Sequence, residues 1–289
     1  MIPGFVIFLR EGVEASMIVA ILLAYLDRAG QRRHFRDVLL GVGAACLLAG
    51  AGGLAAFLTL RHYAGSTAQT VFETITYLVA FVLLTYMTFW MRRHARTLST
   101  ELRTRIDQAL GRRARWGLAL LAFQAVGREG LETVVFTLAI VFAAATPGGA
   151  PRPGAGGAAL VLVGGGLGLA AALLIATAIY RLGRRLNLGR FFTAVGVLLM
   201  VFAAGLLADA VENLQQQGWM PVLAHPLWDS GHWLAEASPL GDILHTLFGY
   251  AARPTILQLA AWALYLAVAL SAFLGLRPRL SRRPRPAST

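Results

Sequence analysis

The chain has 289 residues, 57% of them apolar and 14% charged, with a net charge of +12. That balance excludes a soluble domain and describes a polytopic membrane protein. There is no Lys, so a P-loop lysine and a Walker-type ATP site are excluded; Cys46 is the sole cysteine, which excludes internal disulfides and cysteine-ligated clusters. The Arg residues sit in short loops between apolar runs, which is a topology signal rather than a nucleic-acid surface, and no nucleic acid is expected as a partner.

The first apolar run, at about 2–26, lacks a basic leader and holds charges in its interior, so it reads as a retained helix and not a cleaved signal. Further runs follow at about 38–60, 69–91, 116–145, 158–181, 190–213 and 255–276. The expected fold is therefore all-α, with seven transmembrane helices. Arg28, Arg32, Arg33 and Arg36 follow the first run, and eight Arg from Arg92 to Arg115 follow the third. Arg181, Arg184, Arg185 and Arg190 follow the fifth, and five lie in the tail from Arg277 to Arg285. The alternate loops hold only Arg61, Arg152 and Arg253. The positive-inside rule then puts the N-terminus outside and the C-terminus in the cytoplasm, and seven crossings satisfy the parity.

Residues 1–276 read as a single transmembrane domain, and 277–289 as a basic cytoplasmic tail. The outer loop, about 214–254, carries Trp219, Trp228 and Trp233, suited to an interfacial belt. Ser238 and Pro239 open a short helix there, as cap and first-turn residue. Leu240, Ile243, Leu244, Leu247 and Phe248 form its apolar face, so it is expected to lie on the outer surface. His225, His232 and His245 match no metal spacing and read as ordinary polar loop residues.

Two segments repeat. Arg10-Glu11-Gly12-Val13-Glu14 in the first run returns as Arg128-Glu129-Gly130-Leu131-Glu132 in the fourth. The second and fifth runs are both Gly-rich, and the third and sixth both carry bulky apolar side chains. Three helices separate the copies, so the fourth helix runs opposite to the first. This is an inverted repeat of three plus three helices, about 1–91 and about 116–213, with the seventh helix outside it.

A charge at the centre of a membrane helix costs roughly 2.5–3.5 kcal/mol. Six such charges, unpaired, would cost on the order of 15–20 kcal/mol, more than a typical domain's stability. On a helix, residues three and four apart share a face, so Arg10 stacks with Glu14 and Arg128 with Glu132. Glu11 lies about ten residues from the outer end of its helix, or about 15 Å at about 1.5 Å per residue. Glu129 is similarly deep, so an inverted repeat would bring the two motifs together at the bilayer centre. Glu11, Glu14, Glu129 and Glu132 with Arg10 and Arg128 leave two net negative charges. An all-oxygen site of that charge suits a hard, highly charged cation. The arginines would balance charge and order the carboxylates. Glu73 in the third run and Asp209 and Glu212 at the end of the sixth are expected on the outer route to the site, as an acidic mouth.

The paired Arg-Glu-Gly-x-Glu motifs resemble those of the oxidase-dependent iron permeases, the high-affinity ferric iron transporters of fungi and their bacterial EfeU relatives. The resemblance extends to Glu73, Thr85-Tyr86-Met87, Phe89-Trp90-Met91, the Ala203–Leu214 segment, Leu227-Trp228-Asp229, Gly249-Tyr250, Pro254 and Gln258. It implies Fe(III) moved inward across the bacterial cytoplasmic membrane, with the motif glutamates as iron ligands and no resident cofactor. It also implies periplasmic partners that oxidise or deliver iron, cupredoxin-like or haem-peroxidase proteins. The chemistry of the residues leaves open another cation, Mn(II), Pb(II) or a proton-coupled divalent ion. An intramembrane hydrolase using a glutamate base has little support, because no HExxH pair and no Ser-His or Cys-His pair lies in the spans. A homo-oligomer is left open.

Overall fold

A computed structural model describes residues 1–62, 66–94, 114–143, 155–182, 188–236 and 238–275. Most of the Arg-rich loop after the third run and the basic tail lie outside these residues. The described elements are helical, apart from one isolated bridge between Pro226 and Thr255. They are α1 (Ile2–Arg28), α2 (Phe35–His62), α3 (Thr67–His94), α4 (Ala114–Ala143), α5 (Ala155–Leu182), α6 (Leu188–Gln216), α7 (Pro239–Phe248) and α8 (Ile256–Gly275). The long helices match the seven expected runs to within a few residues at each end.

Among the described residues, five helices are long and apolar enough to cross a membrane: α2, α3, α5, α6 and α8. The other two long helices, α1 and α4, are the ones whose interiors carry the repeated charged motif. The charges that lower their apolar character are the feature that needs explaining.

The principal packing pairs are α1 with α5, α2 with α4, and α3 with α6. This set is unchanged when the first three long helices are exchanged with the second three. Contacts along α1 and α5 advance together, from Gly4 at Val161 to Gly12 at Ala172, so those helices run parallel. The same holds for α2 and α4, where Gly41 meets Ala119 and Gly53 meets Val134. Small residues permit this because, between helices in lipid, close backbone approach supplies the dispersion contact that burial supplies in water. α1 and α4 run antiparallel: Leu22 and Leu26 pack with Leu118 and Ala122 at one end, and Ile7 joins Phe136 and Ile140 in the core at the other.

Those two apolar clusters leave the charged motifs between them. α8 is tied to α3 by a hydrogen bond of 2.7 Å between the Thr85 and Tyr265 hydroxyls, and by the edge-on Phe89–Phe273 pair.

α7 forms as its sequence dictates. The Ser238 side chain accepts the Gly241 N–H at 3.0 Å, and Gly249, at φ +68°, closes the helix in the left-handed region. Its orientation differs from expectation. Leu240 and Phe248 are exposed, while Gly241, His245, Thr246 and Leu247 are buried. α7 packs on α6 and also touches α1 and α4. His245 is therefore no ordinary loop residue. The expected apolar face is turned rather than buried whole: Leu247 is buried, Ile243 and Leu244 are half-buried, and His245 faces the acids of α6 while Gly241 sits against the Ala235–Glu236 backbone. Trp219, Trp228 and Trp233 are exposed.

Candidate metal centre

Each motif sits in mid-helix, so its side chains are placed by helix geometry alone. In α1, Arg10 reaches both acids of its own motif, with Nη1 2.8 Å from Glu11 Oε1 and Nε 3.2 Å from Glu14 Oε1. All three residues are at most 3% exposed. The second motif is not a copy of the first. Arg128 Nε donates to Glu132 Oε1 at 3.1 Å, but the Arg128 side chain is 44% exposed. Its Nη2 meets Met87 Sδ at 2.7 Å, and its guanidinium lies 5.0 Å over the Trp90 ring.

Glu11, Glu14 and Glu129 come together across the α1–α4 contact. Each offers a carboxylate oxygen, and these oxygens lie within 4.8 Å of one another. Glu132 stands outside this group, in the grip of Arg128. One oxygen each of Glu11, Glu129 and Glu132 is buried with no hydrogen-bond partner, as is Arg10 Nη2. Leaving a buried carboxylate oxygen unpaired is costly. A hard cation bound at about 2.1 Å from each oxygen spans at most about 4.2 Å between opposite ligands, so the three acids need close in only slightly.

Three acids expected on the outer route occupy distinct settings. Glu73 is buried and accepts from Gln69 Nε2 at 2.6 Å. Asp209 is buried near the end of α6. Glu212, one turn on, accepts from Gln258 Nε2 of α8 at 2.8 Å and from Gln216 Nε2 at 2.9 Å. His245 is the residue sequence reasoning missed. Its Nδ1 donates to the Tyr250 carbonyl at 2.7 Å. Burial by itself disfavours the imidazolium, but Asp209, the Tyr250 carbonyl, Glu212 and Glu236 outweigh it and raise the His245 pKa above its ordinary value. Its one available signal was its place on α7, a turn from Gly241, on the face opposite the leucines.

Residues 1–282 match the model of the iron permease FTR1 family. The chain belongs to that family. Proteins of this family are named as permeases, that is, transporters and not enzymes. A Shigella sonnei relative named "Ferrous iron permease EfeU" is 35% identical over 284 residues, 96% of this chain and 97% of that one. A Yersinia pestis relative of the same name is 36% identical over 275 residues, 94% of this chain and 93% of that one. No solved structure matches the chain. As a member of the iron permease FTR1 family with five described helices suited to crossing a bilayer, the chain is a multi-pass membrane protein.

Proposed function

We propose that this protein carries iron inward across a bacterial cytoplasmic membrane, and that Fe(III) is the ion held at the α1–α4 contact. Glu11, Glu14 and Glu129 form the cradle, and Glu132 completes it on release from Arg128. Arg10 and Arg128 balance charge and hold the carboxylates between ions. Glu73, Asp209 and Glu212 line the outer route. The observation that carries this reading is the meeting of three buried carboxylates from two antiparallel helices, with oxygens left unpaired. Hard oxygen donors without His or Cys favour a hard, highly charged ion.

The pairing of α1 with α5, α2 with α4 and α3 with α6 supports an inverted repeat of about 1–91 and about 116–213, followed by the outer loop and the seventh helix. In this reading seven helices cross the membrane from an outside N-terminus, and the two repeats rock about the site. Iron reaches the outer face from periplasmic proteins that oxidise or deliver it, of the cupredoxin-like or haem-peroxidase kind.

Radioiron uptake into proteoliposomes, with equilibrium binding to the purified protein, tests this. Glu129→Gln and Glu14→Gln should each weaken binding by at least about tenfold, since loss even of supporting partners around a metal costs 10–100-fold. Unchanged binding in both variants would remove the ligand assignment. The names of the relatives favour a second reading, in which the ion is Fe(II). Uptake compared under ascorbate and with ferric citrate separates the two, because each oxidation state dominates in only one arm.

A further inference from the structure

Beside the candidate metal centre lies a cavity of about 490 Å³, bounded by α1, α2, α4 and α5. That is within the usual range of small-molecule sites, roughly 300–1,000 Å³. Its wall is apolar for a local reason. Thr133 and Thr137 line it, but their hydroxyls donate back to the carbonyls of Glu129 and Thr133, leaving methyl groups for the wall. Gly50 and Cys46 of α2 contribute the opposite side. Among the described lining residues one is charged, Glu129, which is 6% exposed.

An apolar chamber with a single buried carboxylate selects one kind of occupant. Hydrocarbon alone gains little, because bilayer chains are as apolar as the wall. A cationic head that pairs with Glu129 gains a charge-assisted hydrogen bond in a low-dielectric setting. We propose that this cavity binds lipophilic primary amines, with the ammonium head at the Glu129 carboxylate and the alkyl tail along the wall. Such a ligand takes the acid that the ion needs and blocks uptake. The blocking half rests on the transport role proposed for Glu129; the binding half does not.

Cys46 is the only cysteine, is exposed and lines the cavity, so it reports occupancy directly. Maleimide labelling of Cys46 in the purified, unmodified chain is compared with dodecylamine and with dodecanol. The amine should slow labelling at least tenfold more than the alcohol. Glu129→Gln should erase that difference. Gly50→Leu should lose the protection as well, because Gly50 lines the cavity and a Cβ there meets nothing within 4 Å, so the larger side chain takes up open space beside it. Equal protection by amine and alcohol overturns the proposal, and this arm needs no variant to fold. Iron uptake into proteoliposomes is then measured with dodecylamine. Inhibition that Gly50→Leu resists, relative to its own uninhibited rate, supports both halves. Protection of Cys46 without inhibition of uptake leaves the amine site in place and removes Glu129 from the ion route.

Discussion

Gly205 of α6 and Gly249 at the end of α7 press together backbone to backbone, with the Cα of Gly205 too close to admit a Cβ on Gly249. Asp209 is one turn beyond Gly205, and His245 is one turn before Gly249. The glycine contact thus sets the register that brings His245 beside the acids of α6. Gly249 also holds φ +68°, which a side chain rarely adopts. Gly249→Ala should loosen α7 by about 1–3 kcal/mol, read as faster hydrogen exchange of the 239–248 amides with the rest of the bundle unchanged. Parent-like exchange in that segment would show that the contact does not hold α7.

The docking of α7 should also depend on pH. His245 faces Asp209 and Glu212 on α6 and Glu236 in the loop, and donates to the Tyr250 carbonyl on its own C-terminal side. Its pKa is raised in the folded protein, so its contribution is fully present below the ordinary histidine value of about 6.5. That contribution is lost as pH rises through the raised value. Exchange protection of α7, corrected for intrinsic rates, should fall as pH rises above about 6.5 and through the raised value. His245→Gln should flatten the curve; parallel curves for parent and variant would exclude His245 as its source.

The two arginines should differ in cost. Arg10 is buried and serves two acids, whereas Arg128 is 44% exposed at its side chain and serves one. Breaking a buried pair by removing one partner costs about 3–5 kcal/mol. The Arg128–Glu132 pair, with one partner buried and the other 44% exposed, is worth less than that, tending toward about 0–1 kcal/mol, the range of exposed pairs. Thermal unfolding in detergent should therefore place Arg10→Gln well below Arg128→Gln, and the reverse order would contradict the observed asymmetry.

The motif glycines are packing positions. A Cβ on Gly12 would lie 2.8 Å from the Ala172 methyl, and one on Gly130 would lie 2.9 Å from the Ala49 methyl. Neither neighbour has a flexible end to swing away. Gly12→Ala should destabilise by about 1–3 kcal/mol, and adding Ala172→Gly should restore much of the loss. A single variant as stable as the parent would mean that α1 and α5 can part at this level without cost.

Much of this molecule was legible along the chain. The spans emerge because a membrane helix must satisfy its backbone bonds internally and present apolar side chains, a demand each segment meets on its own. The motif was legible because charges at mid-span have no local justification. Arg10 stacking on Glu14 follows from helix period, and Ser238 capping α7 follows from side-chain chemistry. The α7 face was misread for the converse reason. Helix period puts the leucines on one face but does not say which neighbour meets it: His245 faces the acids of α6 and is buried, Leu247 is buried with it, and Leu240 stays outside.

The amino-acid sequence by itself determined the long helices, their ends and the presence of six buried-type charges in two matching motifs, since these depend on residues adjacent in the chain. The tertiary structure alone decided that Glu11, Glu14 and Glu129 meet while Glu132 stays with Arg128, that Arg128 leans toward Met87 and Trp90, and that an apolar chamber opens beside Glu129. Those outcomes depend on how far each helix is rotated against partners distant in the chain. That rotation is set by where small residues let two backbones close.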